Sequence, residues 1–195
     1  MKKILYIHGF GSCGIGNKST QLRAYFGEAS VIAPDLPASP LLAISLLEVI
    51  IREQNVDLII GSSLGGYYAT YLAEKYRLKA VLLNPSTVPY RTLQPYVGTH
   101  KRFCDQAPFE FKEKYLDDLY TLQIRPEKGA YLVLLQSKDE VLDYTKAESF
   151  YSKHRVVVEY GGNHRFENLH DYLLMIKYFR NPSKGSYLTQ KKNNQ

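Results

Sequence analysis

A chain of 195 residues, 45% hydrophobic and 23% charged, has the size and composition of one soluble globular domain with its own core. Its net charge of +6 is not gathered into a basic helix or an aromatic-basic sheet motif, which argues for solubility and against a nucleic-acid partner. No apolar run approaches the ~20 residues of a membrane span, and the run after Lys2 and Lys3 breaks at His8, too early for a signal-peptide core. Cys13 and Cys104 are the only cysteines. Neither lies in a C-x-x-C, and their separation gives no disulfide framework, so a reduced, cytoplasmic setting is expected.

Short apolar runs alternate with longer amphipathic ones. In chain order, strands are expected at Ile4–Ile7, Val31–Ala33, Asp57–Ile60, Ala80–Leu83, Tyr131–Leu135 and Val156–Tyr160. Helices are expected at Lys18–Phe26, Leu41–Gln54, Leu64–Tyr76, Asp143–Ser152 and Glu167–Phe179. In the second of these, Leu42, Leu46, Val49 and Ile50 are spaced for one buried face. The alternation predicts an α/β fold around a mostly parallel sheet, its continuous apolar strands covered on both faces. Residues 86–129 break the rhythm and carry Tyr90, Tyr96, Phe103, Phe109, Phe111, Tyr115 and Tyr120. They read as a small inserted cap within a single domain of residues 1–180, followed by a polar tail over 181–195.

The most specific stretch is "LIIGSSLGGYYA" at 58–69, where Gly61-Ser62-Ser63-Leu64-Gly65 spells G-x-S-x-G between a strand and a helix. Those flanks define a nucleophile elbow, which puts Ser63 at the carboxyl end of the sheet and aims a helix N-terminus at it. Ser62 would need a glycine at Ile60 and does not fit. A serine nucleophile needs a base, and the base needs an orienting acid, in the chain order Ser, acid, His. "LVLLQSKDEVLDY" offers Asp139, Glu140 and Asp143, of which Asp139 comes first past the strand. Asp143 fits better as the cap of the next helix. "VVVEYGGNHRFEN" offers His164, in a glycine-rich loop after the sixth strand; His170, on the last helix, is its competitor. His164 and His170 are not spaced for one helical face, and no H-E-x-x-H or H-x-H occurs, so no metal site is expected.

The first loop, "HGFGSCGIGNKST", overlaps two phosphate signatures. As a P-loop it fails on spacing, because Asn17 follows Gly16 and Lys18 comes one place late. As a dinucleotide fingerprint it fails because Gly14 is followed by more loop, and Asp35, the candidate ribose ligand, sits inside "PDLP". A serine hydrolase needs two N–H donors for its oxyanion. One follows the nucleophile, here Leu64, and the other follows an early strand, here Phe10. On that reading Gly11 to Gly16 is slack in the loop rim, and Lys18 helps to start a helix.

"YIHGF", "GSSLGGYYAT", "NP", "DEVLDY" and "EYGGNHRF" occur in the order found in the YqiA-like esterases. The resemblance covers about residues 4–179. It implies a three-layer α/β-hydrolase fold, six parallel strands in the order 2-1-3-4-5-6, and no cofactor. It also implies a small-molecule carboxylic ester or acyl-thioester as substrate. It maps nucleophile, acid and base onto Ser63, Asp139 and His164, as the residues themselves do. Arg165 departs from the pattern, standing where a small residue is expected, and would add positive charge at the site mouth.

Overall fold

The computed structural model describes residues 1–182, so the expected polar tail lies, from residue 183 on, outside the described residues. The chain opens with β1 (Lys3–Ile7), α1 (Asn17–Phe26), β2 (Val31–Ile32), α2 (Pro40–Glu53), β3 (Val56–Ser62), α3 (Leu64–Tyr76) and β4 (Lys79–Leu83). A mixed segment follows, with α4 (Pro89–Thr92), the strands β5 (Gly98–Lys101) and β6 (Pro108–Phe111), and α5 (Lys114–Thr121). The last third is β7 (Ala130–Gln136), α6 (Tyr144–Phe150), β8 (Arg155–Glu159) and α7 (Leu173–Arg180).

Six strands form one parallel sheet in the order β2-β1-β3-β4-β7-β8, the order that the resemblance implied. Side chains alternate across a strand, so each strand feeds two cores. Leu5 and Ile7 pack with Ala43, Leu47, Tyr68 and Leu72 from α2 and α3 on one face. Ile4 and Tyr6 pack with Leu22 of α1 and with Leu173 and Ile176 of α7 on the other. Parallel strands with both faces covered need apolar residues at successive positions, and β3 and β7 are almost continuously buried. Arg180 locks the closing helix to the sheet: its Nε donates to Asp57 of β3 at 2.9 Å and its guanidinium reaches the Lys2 carbonyl at 3.1 Å.

Residues 86–129 carry their own antiparallel hairpin, with Gly98 opposite Phe111 and Lys101 opposite Pro108. Phe111 is buried in the main core, and the Tyr67 hydroxyl of α3 donates to the Leu119 carbonyl at 2.7 Å.

Three expectations are corrected. On α2, Leu42 is 62% exposed, Leu46 and Val49 are also exposed, and the buried face is Pro40, Ala43, Ile44 and Leu47. This helix is apolar on more than one side, so spacing alone could not name the inward stripe; the small Ala43 lets the backbone approach the sheet. The last helix begins at Leu173 rather than Glu167, after a 3-10 turn at Leu169–Tyr172. Phe166 has a left-handed φ of 51° and Asn168 spends its side chain on Glu159, which keeps this stretch in the loop. Finally, Cys13 and Cys104 are joined in a disulfide, although 91 residues separate them. The fold brings two loops together that no spacing rule connects.

Candidate active site

Ser63 sits between β3 and α3 with φ 54° and ψ −120°, a backbone conformation that L-residues avoid at a cost of roughly 1–3 kcal/mol. A Cβ on Gly65 would strike the Ile7 carbonyl, and one on Gly66 would come within 2.7 Å of Pro85. Only glycine at 65 allows α3 to start directly beneath β1. The Ser63 carbonyl accepts from Gly66 and Ser86 N–H groups at 2.9 and 3.0 Å, which fixes the turn further.

The loop after β7 brings Asp139 to the same edge of the sheet, and the loop after β8 brings His164. His164 Nε2 lies 3.0 Å from Ser63 Oγ. His164 Nδ1 lies 2.8 Å from one Asp139 oxygen and 3.0 Å from the other. A carboxylate only accepts, so Nδ1–H donates to Asp139 and Nε2 is left to accept from the serine hydroxyl. The Asp139 side chain is 2% exposed. Its Oδ1 also accepts the Val141 and Leu142 N–H groups, each at 2.8 Å, so its orientation is held by its own loop as well as by the histidine.

The neighbouring acids have other partners. Asp143 caps α6, accepting from Thr145 N–H at 3.0 Å and its hydroxyl at 2.6 Å. Glu140 accepts the His164 backbone N–H at 2.9 Å, which holds its carboxyl below the usual range. His170 is exposed and pairs with Asp171. Arg165 is exposed, and its charge bears on Lys18, whose ammonium burial pushes down to about 8.

Two residues given no role by the sequence reading hold the histidine loop. Gln136 Oε1 accepts the Asn163 N–H at 2.8 Å, and Gln136 Nε2 donates to Asn168 and Glu159 at 2.6 and 2.8 Å. Asn84, at φ 42°, donates from Nδ2 to the Asn163 carbonyl at 3.0 Å and accepts the Gln136 N–H at 2.9 Å. The one sequence signal was the polar "NP" at the end of an apolar strand, since asparagine is among the few residues that tolerate left-handed backbone.

The first loop is not slack. The Gly9 backbone lies so close to Ser63 that a Cβ on it would be 3.2 Å from the Ser63 Cβ. The Gly14 N–H donates to Asp35 Oδ1 at 2.7 Å, so the residue placed for a ribose serves the loop's own backbone. His8 braces the loop from within. Leu36 N–H donates to its Nε2 at 3.1 Å, which leaves Nδ1–H to donate to the Gly9 carbonyl at 2.8 Å. Burial lowers the His8 pKa. Phe10 and Leu64 line one small cleft of about 60 Å³ with His8, Leu36, Tyr68 and Phe109. A larger open hollow, about 630 Å³, lies between α6 and the loop before β7 and contains none of these residues.

The model of the uncharacterised protein family UPF0227 matches residues 3–181. The chain belongs to the UPF0227 family. A UPF0227 protein of Salmonella paratyphi A is 28% identical, covering 91% of this chain and 98% of its own. One from Vibrio parahaemolyticus is also 28% identical, covering 91% of this chain and 99% of its own. Among solved structures, a hydrolase described as putative from Agrobacterium vitis superposes with a TM-score of 0.72 at 15% identity, over 92% of this chain and 87% of that one. A monoacylglycerol lipase from Paleococcus ferrophilus superposes with a TM-score of 0.68 at 14% identity, over 91% and 93%. Est1E from Butyrivibrio proteoclasticus, bound to ferulic acid, gives 0.70 at 14% identity over 92% and 87%. This UPF0227 chain therefore has the α/β-hydrolase fold. Among its described residues no helix is long and apolar enough to cross a membrane.

Proposed function

We propose that this protein is a serine esterase acting on carboxylic esters or acyl-thioesters. The observation that carries the reading is the continuous Ser63–His164–Asp139 hydrogen-bond relay at a strained strand-to-helix turn. The esterase and lipase names of the structural neighbours support it.

His164 Nε2 takes the Ser63 proton as Oγ attacks the acyl carbon. Asp139 holds the tautomer and stabilises the imidazolium. The N–H groups of Phe10 and Leu64 receive the oxyanion, and the positive end of α3 adds to the field there. His164 then protonates the leaving alcohol or thiol, and a water activated by the same nitrogen releases the acid from the acyl-enzyme. Residues 86–129 act as a cap whose aromatic side chains wall the acyl pocket. No step needs a cofactor. The substrate class requires neither a nucleic acid nor a membrane span, and the earlier expectation of a cytoplasmic location belongs to the same reading.

A fluorophosphonate probe tests it. Labelling at Ser63, lost in Ser63→Ala, together with hydrolysis of a p-nitrophenyl ester, is the expected result. A folded protein that neither labels nor turns over ester would leave the site as a binding pocket only.

A further inference from the structure

One three-residue stretch of the β5–β6 hairpin grips the first loop at three points. Arg102 pairs with Asp35 at 3.2 Å, and Asp35 in turn accepts the Gly14 N–H. The Phe103 N–H donates to the Gly11 carbonyl at 2.7 Å. Cys104 is bonded to Cys13, with Cα atoms 6.1 Å apart, inside the usual span of such pairs. Phe10 lies in the gripped loop, next to Gly11. The Phe10 ring packs edge-on against Phe109 at 5.4 Å and Phe111 at 5.1 Å on the far strand of the same hairpin.

We propose that the Cys13–Cys104 bond is a redox-controlled tether that holds the hairpin to the first loop, making both cysteines positioning residues for the Phe10 N–H. The inference rests on the esterase reading above. Of the three grips, only this one is covalent. The other polar two, a single hydrogen bond and a part-exposed ion pair, are each weak against water. Cys13 is buried while Cys104 is exposed, so a reductant can reach one sulfur and not the other. A dithiol would attack the Cys104 sulfur, form a mixed disulfide and release Cys13 as a thiolate, which takes up a proton. The second thiol of the reductant then displaces Cys104. Two electrons and two protons pass to the protein, and the dithiol leaves as its own disulfide. In a reducing compartment such bonds are transient and redox-sensing rather than structural.

The test compares full-length protein after oxidised and reduced dithiothreitol, counting free thiols by mass spectrometry and following p-nitrophenyl acetate hydrolysis. Loss of a whole oxyanion donor costs roughly 10²–10³ in rate. Loosening one forfeits part of that, so kcat should fall about tenfold on reduction, with KM nearly unchanged and fluorophosphonate labelling of Ser63 retained but slower. Cys104→Ser, an exposed substitution, should match the reduced protein and ignore reductant, and Cys13→Ser should do the same. Two thiols that stay free under oxidant, equal kcat in both states, or a Cys104→Ser variant that still responds to reductant would each overturn the tether. Absence of Ser63 labelling in both states would overturn the esterase reading instead, and the tether's role with it.

Discussion

The strain at Ser63 has a measurable sign. Glycine tolerates φ 54° without penalty, so Ser63→Gly should raise stability by about 1 kcal/mol in urea denaturation while abolishing ester hydrolysis. A destabilised variant would mean that the turn is not strained. His8 supplies a second test at this scale. Its native pKa lies below the ordinary value of about 6.5, chiefly through burial, with Arg102 adding to the depression and Asp35 opposing it. Below that ordinary value the unfolded chain binds a proton that native His8 refuses. The stability it contributes is therefore full at neutral pH and declines as pH falls toward its native pKa. Denaturation midpoints measured between pH 7.5 and 5.5 should fall, and His8→Asn should flatten that part of the slope. Ser63, Asp139 and His164 were legible from sequence because a turn motif, an acid loop and a glycine-rich loop each announce themselves locally. Asn84 and Gln136 were not, because their work is done across strands, on a loop that arrives after residue 160.

At the scale of elements, strands were easier to read than faces. An apolar run of four or five residues declares a buried strand wherever it ends up, whereas the inward side of α2 depends on which neighbours reach it. Leu42→Lys and Leu46→Lys, on the outer side, should each change stability by no more than about 0.5 kcal/mol, whereas Leu47→Ala should cost about 2–5 kcal/mol, both read from thermal or chemical denaturation. Glu74 shows how a buried charge can join elements. Its carboxylate, on α3, accepts the N–H groups of Glu127, Lys128 and Gly129 and the Tyr131 hydroxyl at 2.6–3.0 Å. Burial opposes the charge, but these four donors prevail and hold its pKa below the usual carboxylate value. Glu74→Gln turns an amide NH₂ toward donors and should cost about 2–3 kcal/mol by denaturation. The kcat of the molecules that remain folded should not change, since Glu74 lies away from the serine.

Across the whole molecule, the two edges of the sheet carry different duties. The carboxyl edge holds Ser63, Asp139 and His164, while the opposite edge holds the Arg180–Asp57 pair that docks α7. Distant sites with no shared partner act independently, so Arg180→Ala should lower stability by about 2 kcal/mol and leave kcat/KM intact. A parallel loss of activity would show that the closing helix communicates with the site. The strand order could be anticipated from the family resemblance; the alternation of strands and helices foretold only that the sheet would be mostly parallel. The pairing of Cys13 with Cys104 could not, since it exists only once the hairpin has settled on the first loop.

The sheet order also has a consequence for how the protein is made. Strands β1 to β4 are adjacent in the sheet and complete by residue 83, so the turn holding Ser63 can form on a nascent chain. Asp139 and His164 come from loops after β7 and β8, which are synthesised after the elbow. Domains fold from the N-terminus as they emerge, and here the serine waits for Asp139 and His164 until β7 and β8 have been made. A stalled or clipped chain ending before residue 160 would carry the elbow without His164, and on the esterase reading it should turn over no ester.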